Sequence, residues 1–370
     1  MSEDSLAVQS LPVGLQPSMA SSATWRSRTI AILLMVFIAG IFWIDSRYPA
    51  LMKRYDAGAK ISAKGSLTFG LVYSVDRSMP LATRVWRTTV NWLDANRVGM
   101  TFSFLFGPAA LTYLAMLRRR RTTSVYLNTL FGAAVGAPLA VCTNCIAPIA
   151  RGFFASGMST ESVLAAMFAS PALNVVVLAM TFVLFPISVA LLKLFTVLFL
   201  IFVFVPFIVR KPGVTPPFES IECAIELPVS ETWGQALFAT VRSYFKNFWY
   251  IARVALPLML LAAFLGAFVI EILPAQALFM PVSVLGIVGV AIVSSFLPVP
   301  MAFDVAIAYI LMAKGVPLPY CVTILCTLGI VSVFSLSIVG KTASWKIASA
   351  AYATTVVLGT AAGVITRLFF

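Results

Sequence analysis

Hydrophobic positions in this chain fall in long uncharged runs, not in the short alternating patterns of a water-soluble fold. The first, over 29–44, follows Arg26 and Arg28 and has sixteen residues, slightly short of the ~17–25 that cross a bilayer as one helix. Arg28 and Arg47 at its ends are expected to reach the interfaces and extend it. The run lies far from the start and lacks a small-residue cleavage pattern, so it reads as a retained anchor. Residues 1–24, polar and rich in Ser, Ala and Pro, read as a disordered tail. The polar, net basic stretch 45–97 carries Trp86 and Trp92 and reads as interfacial or extramembrane. The run 98–117 then spans twenty uncharged residues and ends in Arg118, Arg119, Arg120 and Arg121, which assigns that end to the cytoplasm.

Three later runs have awkward lengths: 29 residues over 122–150, 31 over 162–192 and 32 over 272–303. Each exceeds one upright helix and falls short of two spans with a turn. Each also contains proline: Pro138 and Pro148; Pro171 and Pro186; Pro274, Pro281, Pro298 and Pro300. Proline inside an apolar run predicts a broken or re-entrant helix, and irregular backbone is tolerated at membrane depth only where protein covers it or a cavity wets it. The next run, 194–209, is closed by Arg210 and Lys211. An acidic loop with Glu219, Glu222, Glu226 and Glu231 follows. Leu237, Val241, Phe245 and Phe248, with Arg242 and Lys246 on another face, predict an amphipathic helix lying on the membrane surface. Spans over 254–270, 315–340 and 347–366 complete a total of eight to ten.

Composition agrees. Hydrophobic residues make up 61% and charged residues 11%, against about 25% charged in soluble domains, so lipid is the expected solvent. The net charge of +13 sits at the ends of apolar runs and not in a basic, aromatic-interleaved stripe, which excludes a nucleic-acid partner. There is no histidine, which removes histidine triads and histidine-ligated metals. Five cysteines are too few for a disulfide scaffold. Gly340-Lys341-Thr342 has the ending of a phosphate loop, but Ser335 stands where its first glycine belongs, so no ATP site is expected.

The two halves echo each other. Ile149, Ala150, Ala155 and Gly157 recur 158 positions on as Ile307, Ala308, Ala313 and Gly315. Charge placement instead matches Arg151 and Glu161 to Asp304 and Lys314, an offset of 153. A two-fold architecture puts a transport site at the repeat interface.

Candidate chemistry concentrates in the proline-bearing runs. Cys142 and Cys145 lie between Pro138 and Pro148, with Asn144 between them and Arg151 beyond. Thiolates there suit soft metals or metalloids, whereas the absence of a second close pair argues against a zinc site. Asn174 follows Ser170-Pro171 inside an apolar run and needs a hydrogen-bonding partner, either a neighbouring helix or a passing solute. Asp304, next to Pro298 and Pro300, is a carboxylate in an apolar context and hence a functional candidate, or the partner of Arg151 or Lys314. Cys321, Cys326 and Cys223 read as ordinary packing residues. The pairs Gly132/Gly136 and Gly359/Gly363 predict close helix packing.

The stretch from Cys142 to Gly157, Ser170-Pro171-x-x-Asn174 and the segment from Pro298-x-Pro300 to Gly315 resemble the predicted-permease family that includes the organoarsenical efflux permeases. The resemblance covers roughly 98–366. That family carries Pro-x-Cys-Ser-Cys followed by a further proline, and aligning on Pro148 puts Cys142 at its first cysteine and Asn144 at its second. Cys145 then falls where Gly or Ser is usual, and three residues instead of one separate Pro138 from Cys142. The resemblance implies multi-pass transport of trivalent organoarsenicals held through cysteine.

The chain therefore reads as an all-α polytopic protein of the inner membrane, with two pseudo-repeated halves containing proline-broken or re-entrant helices. Its parts are a tail (1–24), an anchor and polar segment (25–97), a first permease half (98–211), an acidic loop with an interfacial helix (212–250) and a second half (251–370). The expected function is passage of a small solute, with Cys142, Asn144, Cys145, Pro148, Arg151, Asn174, Pro298, Pro300 and Asp304 at the site. No catalytic residue, metal or cofactor is expected. The partners are the lipid bilayer, the small-molecule substrate and further copies or a larger membrane complex. Two other readings remain: an intramembrane thiol-disulfide oxidoreductase and a non-transporting scaffold.

Overall fold

The computed structural model describes residues 25–57, 72–76, 78–116, 124–211, 232–272 and 281–369. The 1–24 tail, the four arginines 118–121, the acidic loop with Cys223 and Pro274 lie outside them. All regular structure among the described residues is helical. Helix α1 (Trp25–Phe42) passes through a π turn, Trp43–Arg47, into α2 (Tyr48–Ala57). There follow α3 (Leu81–Ala115), α4 (Val125–Leu139), α5 (Thr143–Ala155), α6 (Thr160–Ala172) and α7 (Val175–Leu184). Helix α8 (Ile187–Phe199) continues through a second π turn, Leu200–Phe204, into α9 (Val205–Val209). The later helices are α10 (Trp233–Ile272), α11 (Val284–Phe296), α12 (Phe303–Ala313), α13 (Leu318–Thr327), α14 (Val333–Thr342) and α15 (Trp345–Phe369).

Among the described residues, five helical stretches are long and apolar enough to cross a membrane: Trp25–Met52, Leu81–Ala115, Ile187–Val209, Trp233–Ile272 and Trp345–Phe369. The pair α6 and α7, bent by 44° at its break, counts as a sixth if the two cross as one broken span. This is fewer than the eight to ten expected, because the proline-bearing runs fold as helices of 10–15 residues joined by breaks. The outer surface suits lipid: Phe131, Phe195, Phe207, Phe238, Leu285 and Val357 are all exposed, while polar side chains such as Asn96, Asn144 and Ser170 are buried.

Several boundaries differ from those expected. Helix α3 starts at Leu81, so Trp86 and Trp92 belong to a continuous 35-residue helix that runs on into the apolar stretch after position 98. Likewise 233–250 is not a separate surface helix but the first part of α10, 40 residues long. Nothing between Tyr250 and Val254 breaks that helix, and its buried Asn247 donates to Thr112 of α3 at 2.9 Å. Arg47 does not extend to an interface: it is buried, its Nε donates to the Ala140 carbonyl at 2.6 Å, and its guanidinium stacks on Phe42 at 4.3 Å.

The direction of each helix follows from its close contacts. Gly132 and Gly136 of α4 meet the backbone of Ser162 and Ala166 of α6, so the two helices run the same way. A short turn ending at Gly157, whose φ of +81° favours glycine, returns α5 against α6. The chain therefore reverses at Ala140–Cys142. In the later half α11 runs with α13, matching Gly286 to Tyr320 and Ser294 to Thr327, and the turn between α12 and α13 has Gly315 at +86°. Helices α3 and α10 are antiparallel, with Thr112 against Asn247 near one end and Arg84 against Glu271 near the other.

Both G-x-x-x-G pairs are contact points. A Cβ on Gly136 would collide with the carbonyl, Cα and C of Ala166, and one on Gly359 or Gly363 with Thr327 or Thr323 of α13. Gly136→Val is expected to destabilise the protein by at least ~1–3 kcal/mol, the usual cost of overpacking. Gly289→Ala, where nothing lies within 4 Å, should be neutral or stabilising by up to ~1 kcal/mol from helix propensity. Thermal unfolding of both variants in detergent checks the contrast.

Candidate functional site

Four interruptions of the helices meet in the middle of the fold. The first, between α4 and α5, puts Ala140 in the left-handed region at φ 47° and restarts the helix with Cys142 as N-cap, whose sulfur accepts from the Cys145 N–H at 3.1 Å. The second separates α6 from α7 and is capped by Asn174, which accepts from the Val177 N–H at 3.0 Å. The third, between α11 and α12, contains Pro298 and Pro300 and ends at Ala302, also left-handed at φ 61°. The fourth, between α13 and α14, holds Gly329 and ends at a capping box of Ser332 and Ser335. A left-handed alanine costs roughly 1–2 kcal/mol. Strain of this kind persists only where surrounding structure holds it, and here it occurs at two of the four breaks.

Side chains join the breaks. Thr143 donates its hydroxyl to the Gly329 carbonyl. Asn144, fully buried, donates Nδ2 to the Val299 carbonyl at 3.1 Å and accepts from the Ser332 hydroxyl at 2.8 Å. Ser170 accepts from the Val141 N–H at 3.2 Å and donates to the Val141 carbonyl at 3.3 Å. Trp92 of α3 donates to the Pro298 carbonyl at 2.7 Å. Between these groups is a small cavity with room for about one water, lined by Cys142, Thr143, Pro171, Val299–Ala302, Asp304 and Gly329.

Cys142 and Cys145 are joined as a disulfide with Cα atoms 5.0 Å apart, and each is only 2% exposed. Cys142 faces the cavity, with Asn96 Oδ1 at 3.6 Å from its sulfur. Cys145 lies behind it, against the place where a Cβ on Gly99 would be.

Asp304 lies in the first turn of α12, next to the cavity, and forms an ion pair with Lys193 of α8. Neither of the expected partners, Arg151 or Lys314, fills that role. Lys193 is 2% exposed and Asp304 7%. Cys326 of α13 is buried close to the pair.

The structure thus brings Cys142, Asn144, Pro298, Pro300 and Asp304 together and leaves other expected residues apart. Arg151 donates to the Tyr250 carbonyl at 3.4 Å and lies over its ring at 4.4 Å, on α10 and away from the cavity. Asn174 needs no partner from another helix or a solute, because its Nδ2 donates to the Ser170 and Pro171 carbonyls at 2.7 and 3.1 Å. Pro148 is accommodated within α5, where its carbonyl packs near Gly107 of α3. Lys193, Thr143, Ser332 and Asn96 are site residues that sequence reasoning missed. Lys193 had a visible signal: it is the sole charge in 187–209, and a buried charge in an apolar helix asks for a partner. Among the described residues no cluster of His, Cys, Asp and Glu could hold a metal ion. Comparison of the chain with protein-family models, curated proteins and solved structures finds no match.

Removing one member of a buried ion pair leaves a lone charge and typically costs ~3–5 kcal/mol, whereas removing both is close to neutral. Lys193→Met and Asp304→Asn are each expected to destabilise the protein by that order, and the double variant by much less. A double-mutant cycle on thermal unfolding in detergent measures the coupling.

Proposed function

We propose that this chain is a membrane permease that carries a small solute outward through the junction of its four helix breaks. One observation carries the reading: the cavity is lined from α5, the end of α6, the α11–α12 break and the α13–α14 break together. Interrupted helices facing a cavity between two halves are the usual construction of a solute site in secondary transporters.

The order of the elements supports the two-repeat form of this reading. Helices α6, α7 and α8 begin at Thr160, Val175 and Ile187, and α13, α14 and α15 begin 158 positions later at Leu318, Val333 and Trp345. The turn glycines Gly157 and Gly315 keep the same offset, which favours the 158 alignment over that of 153. We read α3–α8 and α10–α15 as two copies of one unit, with α4–α5 and α11–α12 as re-entrant hairpins. Because α3 and α10 are antiparallel, the copies have opposite sense, as alternating access by inverted repeats requires.

For the cargo, the dithiol form of Cys142 and Cys145 supplies soft ligands at the cavity wall, suited to a thiol-reactive species such as a trivalent organoarsenical. The disulfide itself favours a second reading, an intramembrane oxidoreductase. Thiol-disulfide exchange, however, requires an attacking thiolate to approach a sulfur, and both sulfurs are buried, one of them behind the other. The permease accounts for more of the geometry.

The test is efflux of a trivalent phenylarsenical from proteoliposomes containing the full chain under reducing conditions. Wild-type protein should move it, and Cys142→Ser should abolish that movement. Normal transport by both Cys142→Ser and Cys145→Ser would remove the thiol role. Formation of a mixed disulfide with a soluble thiol protein would instead support the oxidoreductase.

A further inference from the structure

The Lys193–Asp304 pair does something that packing alone does not require. Two opposite charges are enclosed among apolar helices, and one of them, the carboxylate, borders the cavity. Intramembrane ionisable groups placed in this way occur along ion pathways and proton relays. A carboxylate in the first turn of a helix is also favoured by the positive end of the helix dipole, but that benefit does not call for a buried lysine opposite it.

We propose that Asp304 is the proton-coupling carboxylate of the permease, exchanging a proton for the solute at its Oδ atoms, with Lys193 as the resident counter-ion. This rests on the permease reading above. In the resting arrangement the carboxylate holds the Lys193 ammonium. A proton from water on one side of the membrane adds to an Oδ atom, forming an O–H bond and a neutral carboxyl, while Lys193 keeps its own proton and charge. A solute bearing hydroxyl or amine donors needs those oxygens as acceptors, and the ionised carboxylate is acceptor-only. The proton converts one of those acceptor oxygens into a donor, so proton and solute compete for the same oxygen. When the solute binds, the O–H bond breaks and the proton leaves to water on the opposite side, so one proton moves inward for each solute moved outward.

The groups facing Asp304 are few. Lys193 comes from α8, Cys326 from α13 and the Cys142–Cys145 disulfide from α5. Helix α7, which also packs on α12, brings no titratable or charged side chain, since its sequence is VVVLAMTFVL. The Gly329 backbone closes the remaining side, with the Asp304 Cβ and Cγ 3.6 Å from where a Cβ on that glycine would lie.

Two measurements on the full-length, reconstituted protein test this. The first is a pH-difference infrared spectrum without solute, read at the C=O stretch of a protonated carboxyl. The wild type should gain a band on acidification that Asp304→Asn lacks. The second is efflux of a trivalent phenylarsenical from vesicles with and without an imposed proton gradient. The gradient should accelerate wild-type efflux, whereas whatever efflux Asp304→Asn retains should not respond to the gradient. The double variant Lys193→Met with Asp304→Asn leaves no lone buried charge, and it should show the same loss while unfolding close to the wild-type temperature. Gradient-driven efflux in either variant, or acidification spectra identical for wild type and Asp304→Asn, would overturn the proposal. Failure of the arsenical to move at all would count against the cargo, with the infrared spectrum still deciding whether Asp304 takes the proton.

Discussion

Every buried backbone amide and carbonyl must find a partner, and within lipid no water supplies one. A helix meets that demand internally except at its ends, and this chain places helix ends in its own centre. Three of the breaks exchange donors and acceptors, while the α6–α7 break is capped locally by Asn174. Thr143, at the start of α5, serves the Gly329 carbonyl, and Asn144 connects Val299 to Ser332. Ser170, on α6, satisfies both backbone groups of Val141, and α1 and α3 contribute Arg47 and Trp92 to the carbonyls of Ala140 and Pro298. The junction is consequently a mutual arrangement, and two left-handed alanines are held within it.

The same arrangement explains why polar side chains accumulate where the exterior is apolar. Breaking a helix leaves partial charges, positive at the restart and negative at the stop. Cys142, Asn174 and Ser332 are helix caps before they are anything else. Asp304 and Lys193 differ, since neither caps a helix through a side-chain hydrogen bond. Their pairing compensates charge for which the fold has no backbone use. That distinction separates residues that build the junction from the pair that borders it.

Small residues made the junction reachable. Gly132 and Gly136 bring α4 onto the backbone of α6, and Gly359 and Gly363 bring α15 onto α13. Gly99 leaves space for the sulfur of Cys145. With larger side chains at these places the broken helices would stand too far apart for Thr143 or Asn144 to bridge them. Close approach and mutual hydrogen bonding are thus one requirement, met by glycines at the periphery and by short polar side chains at the centre.

Much of this was legible in the residues. Apolar run lengths and scarce charge dictate a helical protein with a lipid-compatible surface, because only a helix satisfies its backbone in a long uncharged segment. Pro186 stands at the start of α8, and Pro298 and Pro300 lie between α11 and α12. Proline was an imperfect guide: Pro148 sits inside α5, where a neighbouring helix covers it, while the α13–α14 break contains no proline at all and turns at Gly329 instead. What tertiary structure alone decided was which groups face each other. Asp304 pairs with Lys193 and not with Arg151, and Arg47 turns inward to Ala140. Partner choice depends on how segments 93 and 111 residues apart pack side by side, and periodicity along a single chain contains the faces of helices but not their neighbours.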